Sequence, residues 1–211
     1  MVKKNDTFEN TYSSGLSYTA LGGLKLSKTL TGHAMADGQF TFKVTPLDAE
    51  SAVKLGFVEG ENTFASPAAE DGATALIDLL AGKDVQFTQE DAGKKYVYTV
   101  SEKNDSAKGY TYDTAVRTVT ITTADDPAAA KLTVTTTVVG GPEGMQTFTY
   151  MTGDEKPTPA VVPFANGYFA STDEPGGGSA EVEATKELTG RPLEEGEFSF
   201  GVKYAASAAG E

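Results

Sequence analysis

The sequence predicts an all-β fold, an antiparallel β-sandwich with a short helix insertion. Short runs rich in Thr, Val, Tyr and Phe recur along the chain, and apolar and polar residues alternate in many of them, which is typical of strands that bury one face. Turn-forming residues such as Asp125-Asp126-Pro127 and Gly140-Gly141-Pro142 mark tight connections between runs. The runs predict strands at residues 23–31, 38–45, 84–89, 95–102, 109–112, 116–123, 131–139, 146–151 and 161–169.

One segment departs from the strand pattern and predicts the helix. Its apolar residues recur at helical spacing, at Ala73, Leu76, Ile77 and Leu80. Asp71 precedes them as a candidate N-cap, and Gly82 follows them as a stop signal. We expect this helix to pack on an end or an edge of the sandwich.

The chain contains one passage twice. Residues 28–32 (KTLTG) recur as residues 186–190 (KELTG), and residues 8–12 (FENTY) recur as residues 164–168 (FANGY). The two offsets agree at about 157 positions, which indicates a stretch of a tandem array.

The repeat predicts four parts in the chain. We expect residues 1–16 to be the C-terminal fragment of a preceding repeat and residues 17–170 to be one complete domain. Residues 171–180 are rich in Gly, Pro and Ser, which is typical of an interdomain linker. Residues 181–211 predict the N-terminal fragment of a following repeat.

Three polar side chains fall at core positions of three predicted strands. Side chains alternate between the two faces of a strand, so Lys28 shares a face with Leu24, Leu26 and Leu30. The same alternation places Asn166 with Phe164 and Tyr168, and Glu102 with Tyr96, Tyr98 and Val100. A buried ion pair between Lys28 and Glu102, with Asn166 satisfying the remaining donors, is one interpretation of this pattern.

The second interpretation comes from a family resemblance. Three motifs, Lys28-x-Leu-x-Gly with Gly38-x-Phe-x-Phe, the strand 96–102 and the closing Phe164-Ala-Asn-Gly-Tyr, resemble the pilin isopeptide linkage domain of Gram-positive surface proteins. The resemblance spans residues 17–170. It implies an immunoglobulin-like sandwich in which an amide bond joins Lys28 to Asn166, and in which Glu102 promotes bond formation.

The chemistry of these groups agrees with that implication. Burial in an apolar interior lowers the pKa of a lysine and raises that of a glutamate, which favours a neutral amine and a neutral acid. We expect Glu102 to donate a hydrogen bond to the side-chain carbonyl of Asn166 and so to polarise it toward attack by Lys28. The reaction takes place once per molecule, so the domain is its own substrate and not an enzyme.

The resemblance also assigns residues in the two flanking fragments. Asn10 corresponds to the reactive asparagine of a preceding module, and Lys186 to the reactive lysine of a following one. Neither fragment carries a central strand with a glutamate, so we expect both residues to remain unlinked.

Composition narrows the setting and the function classes. The chain has no cysteine, which excludes disulfides, and a net charge of -13, which argues against nucleic acid and anionic membranes as partners. No signal peptide or apolar run of membrane-spanning length is present.

We expect no metal and no cofactor, because His33 is a lone histidine in a turn and Asp125-Asp126 lacks further ligands at calcium-site spacing. Gly176-Gly177-Gly178 lacks the lysine of a phosphate loop.

The resulting functional prediction is a structural module of a bacterial pilus or adhesin stalk, extracellular and attached to the cell wall. Its partners would be adjacent repeats of the same polypeptide or other pilus subunits. Two alternatives stay open. One is a ligand-binding immunoglobulin-like adhesin domain that recognises a host protein or glycan, which a cluster of exposed aromatic side chains at one end would favour. The other is an accessory domain beside a hydrolase.

Overall fold

The computed structural model describes residues 11–155, 158–170, 189–192, 194 and 196–199. The chain divides into two compact units, residues 1–170 and residues 171–211. In the second unit the described residues form bends and a turn, and the Arg191 guanidinium pairs with the Glu197 carboxylate. The predicted linker and the repeated lysine motif of this unit lie outside the described residues, apart from the end of that motif.

The first unit is built from β-strands, as the sequence predicts. The strands are β1 Gly15–Ser17, β2 Leu24–Thr31, β3 Thr41–Pro46, β4 Asn62–Ala65, β5 Thr74–Asp78, β6 Gln86–Thr88, β7 Lys95–Glu102, β8 Tyr110–Thr111, β9 Arg117–Asp126, β10 Lys131–Gly141, β11 Gly144–Met151 and β12 Ala160–Tyr168. Helix α1, Ala49–Leu55, follows β3, and a short 3-10 helix, Gln89–Asp91, follows β6. Each of the nine predicted strands coincides with an observed one, with shifts of a few residues at the ends.

Two larger sheets form the sandwich. One has the strand order β11-β10-β9-β7-β3-β4, and the other has the order β5-β2-β12-β8. The strands pair antiparallel, with one exception: β2 and β12, the neighbouring strands at the centre of the smaller sheet, are parallel. Parallel neighbours require a long connection, and here the connection is the whole set of strands from β3 to β11.

Apolar side chains from both sheets fill the space between them. Leu24, Leu26 and Leu30 of β2 are fully buried, as are Tyr98 and Val100 of β7. Burying one leucine side chain stabilises the fold by about 1.5–3 kcal/mol. The alternation of apolar residues along β2 and β7 therefore fixes which face of each strand enters the core, and the polar residues of that face enter with it.

The prediction of a helix at residues 71–82 is wrong. Thr74–Asp78 is the edge strand β5, which pairs antiparallel with β2. Ala75 and Ile77 are buried while Leu76 is 53% exposed, which is the alternation of a strand. Three consecutive apolar residues fit either period in the sequence. Pairing with β2 decides the outcome because it satisfies the backbone hydrogen bonds and buries alternate side chains at once.

The helix in the structure lies earlier in the chain, and its signals are local. Asp48 caps the N-terminus of α1, since its side chain accepts a hydrogen bond from the Ser51 N–H. Gly56 ends the helix in the left-handed conformation. Ser51, Ala52 and Leu55 face the interior, so the helix is short but anchored. An aspartate followed eight residues later by a glycine was the sequence signal for it.

The turn after β2 brings that strand close to β12. Gly32 has a φ of 94°, which only glycine adopts without strain. A Cβ at this position would overlap the carbonyl oxygen of Tyr168. The Gly32 N–H donates to Asp71 Oδ1 at 2.7 Å, so Asp71 holds this turn and caps no helix. The glycine that closes the repeated KTLTG motif therefore permits the close approach of the first and last strands of the smaller sheet.

Candidate functional site

The candidate site lies between the two sheets, at the contact of β2, β12 and β7. Lys28 of β2 is the register partner of Phe164 in the parallel strand β12, and Asn166 lies two residues further along β12. Glu102 is the last residue of β7 in the facing sheet. The structure thus brings together three residues that are separated by 74 and 64 positions in the chain.

Glu102 contacts both of the other side chains. The Lys28 Nζ donates to Glu102 Oε2 at 2.8 Å, and the Asn166 Nδ2 donates to Glu102 Oε1 at 2.6 Å. The Lys28 distance is that of a charge-assisted hydrogen bond, and the Asn166 distance is shorter. The carboxyl group therefore bridges the amine and the carboxamide.

The site is enclosed by apolar and aromatic side chains. Lys28 is 0% exposed, Asn166 4% and Glu102 8%. The Lys28 ammonium lies 4.5 Å from the centroid of the Phe40 ring and 5.8 Å from that of Phe42. Aromatic faces stabilise a cation weakly, and they do not replace the hydration that a charged amine loses on burial.

Burial shifts both ionisable groups toward their neutral forms. It lowers the pKa of Lys28, although the hydrogen bond and the charge of Glu102 act in the opposite sense. Burial likewise raises the pKa of Glu102, although Lys28 and Asn166 act to lower it. The neutral amine and the protonated acid are the forms that acyl transfer to an amine requires.

The orientation of Asn166 differs from the predicted one. We expected Glu102 to donate a hydrogen bond to the side-chain carbonyl, but Glu102 accepts one from the amide nitrogen instead. The carbonyl oxygen Oδ1 accepts a hydrogen bond of 2.8 Å from the backbone N–H of Asp113. Because an N–H can only donate, the atom that faces it must be the oxygen, so the backbone at residue 113 fixes the orientation of the carboxamide.

Asp113 and Arg117 belong to the site and were missed in the sequence. Both Asp113 carboxylate oxygens accept hydrogen bonds from Arg117, at 2.6 and 2.5 Å. Arg117 is 1% exposed and heads β9, where it alternates with the buried Val119 and Ile121. The sequence therefore shows Arg117, like Lys28, as a charged residue on the face of its strand that enters the core. Asp113, which lies in a loop, gave no such signal.

Among the other residues that the sequence singled out, those that the structure describes lie apart from this site. Asn10 and Lys186 are outside the described residues. His33 is exposed, and its Nδ1 contacts the carbonyl oxygen of Ala34. Asp125 accepts hydrogen bonds from the hydroxyls of Tyr12 and Ser14. In the part of the chain that the structure describes, no group of side chains is arranged to hold a metal ion, and no helix has the length and apolar character needed to cross a membrane.

The fold and the site together define a class of protein: a β-sandwich domain with a lysine and an asparagine that both contact one buried glutamate in its interior. Residues 24–152 match the family described as FctA: Spy0128-like isopeptide containing domain. The match covers more than half of the chain, so the chain belongs to this family. The resemblance to a pilin isopeptide linkage domain that the sequence indicated is thereby confirmed. The matched range includes Lys28 and Glu102, and Asn166 lies beyond it.

Comparison with solved structures finds the major pilin of Streptococcus pyogenes and two single-substitution mutants of it. The sequence identity is 17% in each case. The alignment covers 76% of this chain for the pilin and 75% for both mutants, with TM-scores of 0.25 for the pilin and 0.32 and 0.27 for the mutants. The chain spans 51% of the length of the matched pilin chains. A search of curated proteins finds no match.

Proposed function

We propose that this chain is a structural module of a bacterial surface pilus or adhesin stalk, stabilised by an amide bond that the domain forms between Lys28 and Asn166. The observation that carries the proposal is the contact of the two side chains with one buried carboxyl group, at 2.8 and 2.6 Å. A buried ion pair with a satisfied asparagine would need no further chemistry. Membership in a family of isopeptide-containing domains favours the reactive interpretation.

The reaction begins with proton transfer from Lys28 to Glu102, which burial of the pair favours. The neutral Nζ attacks the Asn166 Cγ, and an Nζ–Cγ bond forms. Glu102 gives its proton to Nδ2 and recovers one from the attacking nitrogen. The Cγ–Nδ2 bond then breaks and ammonia leaves, so one amine and one carboxamide become one substituted amide and one ammonia. Folding supplies the proximity, which in aligned intramolecular reactions corresponds to effective molarities of about 10⁵ M or more.

The position of this bond suits a load-bearing role. Lys28 is in β2 and Asn166 is in β12, the adjacent parallel strands at the centre of the smaller sheet. A pulling force that enters through β2 and leaves through β12 would pass across the new amide bond. The hydrogen-bond ladders of all strands between β2 and β12 would then carry no load. Resistance to unfolding and to proteolysis follows from this geometry.

The proposal includes the setting of the module. Its partners are adjacent repeats of the same polypeptide or other pilus subunits, with Asn10 and Lys186 as the equivalents of the reactive residues in neighbouring repeats. Its location is extracellular, on a cell-wall-attached surface protein. Each domain reacts once and is consumed in the reaction, so it is a self-crosslinking structural domain and not an enzyme.

Intact-mass measurement of the purified chain tests the proposal. We expect the wild type to be lighter than its sequence mass by one ammonia. Lys28→Ala, Asn166→Ala and Glu102→Ala variants should retain the full mass. Lys25→Ala is the matched control, because Lys25 lies on the opposite face of β2 in an ion pair with Asp78, and this variant should show the same deficit as the wild type. A wild type of full mass leaves only the ion-pair interpretation.

The ligand-binding alternative gains no support from the aromatic residues at the end of the sandwich. Tyr110, Tyr112 and Tyr168 do gather there, but they are half-buried, and Phe169, which follows Tyr168, adds a single exposed ring to them. Tyr110 and Tyr112 pack edge-on against Phe40, at 6.0 and 5.9 Å between ring centroids. Because Phe40 itself contacts the Lys28 ammonium, these rings close the end of the buried site.

A further inference from the structure

The Asn166 carboxamide is held from both ends. Its nitrogen donates to Glu102 Oε1 at 2.6 Å, and its oxygen accepts from the Asp113 backbone N–H at 2.8 Å. In an attack on Cγ the oxygen gains negative charge and the nitrogen becomes the leaving group. Each atom therefore already contacts the group that its change in charge requires, since a donor faces the oxygen and the acid faces the nitrogen.

The Asp113 N–H is positioned by the side chain of the same residue. Asp113 accepts two hydrogen bonds from Arg117, and its Oδ2 also accepts one from the backbone N–H of Ala165 at 3.3 Å. Ala165 directly precedes Asn166 in β12. The carboxylate thus ties the loop before β9 to the strand that carries the reactive asparagine.

Arg117 in turn is fixed by its surroundings. Its Nη1 also donates to the Ala115 carbonyl at 2.8 Å, and its guanidinium lies 4.1 Å from the centroid of the Phe164 ring. An arginine fork that is bidentate to a carboxylate and stacked on an aromatic ring has little freedom to move. Burial acts to raise the pKa of Asp113, but hydrogen bonds from Arg117, Ala115 and Ala165 outweigh it and hold that pKa below its usual value. The Asp113 carboxyl group is therefore held in its ionised form.

From this geometry we infer that the Asp113 backbone N–H is the oxyanion donor of the crosslinking reaction, and that the Asp113 carboxylate and Arg117 are its positioning residues. The inference rests on the proposed function and adds to it a second group that stabilises the transition state. The donor stabilises the charge on Asn166 Oδ1 while Glu102 moves the protons between Lys28 Nζ and Asn166 Nδ2. The atom balance of the reaction is unchanged, because the N–H keeps its proton throughout.

The Asp113 N–H lies 2.8 Å from Oδ1 of the unreacted carboxamide, close to the distance of about 2.7–3.1 Å that an effective donor keeps from the oxyanion. Complete removal of one such donor slows acyl transfer by about 10²–10³-fold. Loosening its support leaves the N–H in the chain but allows it to drift from Oδ1. We therefore expect variants of the supporting pair to form the crosslink about 10- to 100-fold more slowly than the wild type.

The test follows ammonia loss over time in newly synthesised full-length chain, by intact-mass measurement after cell-free translation is stopped. The variants are Arg117→Lys, which keeps the charge and loses the fork, and Asp113→Asn, which keeps the shape and the backbone N–H. Lys54→Met is the matched control. It breaks another largely buried ion pair, Lys54 with Asp91 at 2.7 Å, which does not contact the three reactive residues. Circular dichroism checks that each chain is folded.

A second readout separates positioning from general destabilisation. In a Glu102→Gln background, which we expect not to react, the Asp113 amide proton should exchange slowly with solvent deuterium. Adding Arg117→Lys should speed exchange at this amide, while amides in the centres of β9 and β10 stay protected. If Arg117→Lys fails to fold, Asp113→Asn carries both measurements.

The outcomes are distinct. Slow ammonia loss in folded Arg117→Lys or Asp113→Asn, with a normal rate in Lys54→Met, supports the inference. Wild-type rates in the folded variants, or slowing in Lys54→Met to the same extent, overturn it while leaving the crosslink itself intact. A wild-type chain that never loses ammonia overturns the proposed function, and the inference falls with it.

Discussion

Replacing Lys28 by methionine isolates the contribution of the crosslink to stability. Methionine is apolar and similar in length to lysine, so it fills the same space next to Leu26 and Phe40 and leaves little cavity. Glu102 remains but can bind a proton, because burial raises its pKa, and it still accepts the hydrogen bond from Asn166. The variant therefore removes the nucleophile with little damage to packing.

The expected change follows from chain entropy. The amide bond closes a loop of about 140 residues, and in the chain-entropy account such a closure stabilises the folded state by about 5 kcal/mol. A domain of this size loses about 2–4 °C in melting temperature per kcal/mol. We thus expect Lys28→Met to melt about 10–20 °C below the wild type.

Circular dichroism is the suitable assay, since the chain has no tryptophan for fluorescence. Lys25→Met is the control, because it removes a half-exposed ion pair with Asp78, which contributes about 0–1 kcal/mol. The reasoning is refuted if the wild type carries the mass deficit and Lys28→Met still melts within a few degrees of it.

Two further predictions concern the pH dependence and the strand β5. The reactive pair needs one shared proton, so the rate of ammonia loss should be flat around neutral pH; it should fall in acid, where Glu102 and Lys28 are both protonated, and in strong base, where neither is. The lowered pKa of Lys28 and the raised pKa of Glu102 set the acid and base limits of this pH range. Time courses of intact mass in the slow Arg117→Lys variant measure the rate at each pH. A rate that rises steadily with pH would contradict the shared proton. In β5, Ile77→Ala should destabilise by about 2–4 kcal/mol and Leu76→Ala by no more than about 0.5 kcal/mol, because only Ile77 faces the core; equal losses in denaturant unfolding would argue against the strand.

The strands were predictable because their signal is local. Along β2 and β7 each second residue is apolar or aromatic except Lys28 and Glu102, and that alternation alone fixes the face that enters the core. The same rule identified Lys28, Glu102 and Asn166, since each replaces an apolar residue at a core position. The helix at 71–82 failed for a physical reason: Ala75, Leu76 and Ile77 fit two periods, and only the hydrogen bonds to β2 select one of them.

The contacts within the site were not predictable in the same way. The sequence could place Asn166 in the interior, but the direction of its carboxamide depends on a backbone N–H from the loop before β9. The burial of Arg117 could be predicted, because it lies on the same strand face as Val119 and Ile121. Its partner Asp113 offered none, because a loop has no period from which burial can be inferred.

The sequence by itself determined the all-β class, the repeat and the identity of three polar residues in the core, because alternation and self-similarity are properties of the chain alone. The tertiary structure decided that β2 and β12 lie side by side in parallel, that Glu102 reaches both of its partners from the facing sheet, and that Asp113 orients the carboxamide. These are contacts between residues far apart in the chain, and their distances are set by strand pairing within the smaller sheet and by packing of the two sheets.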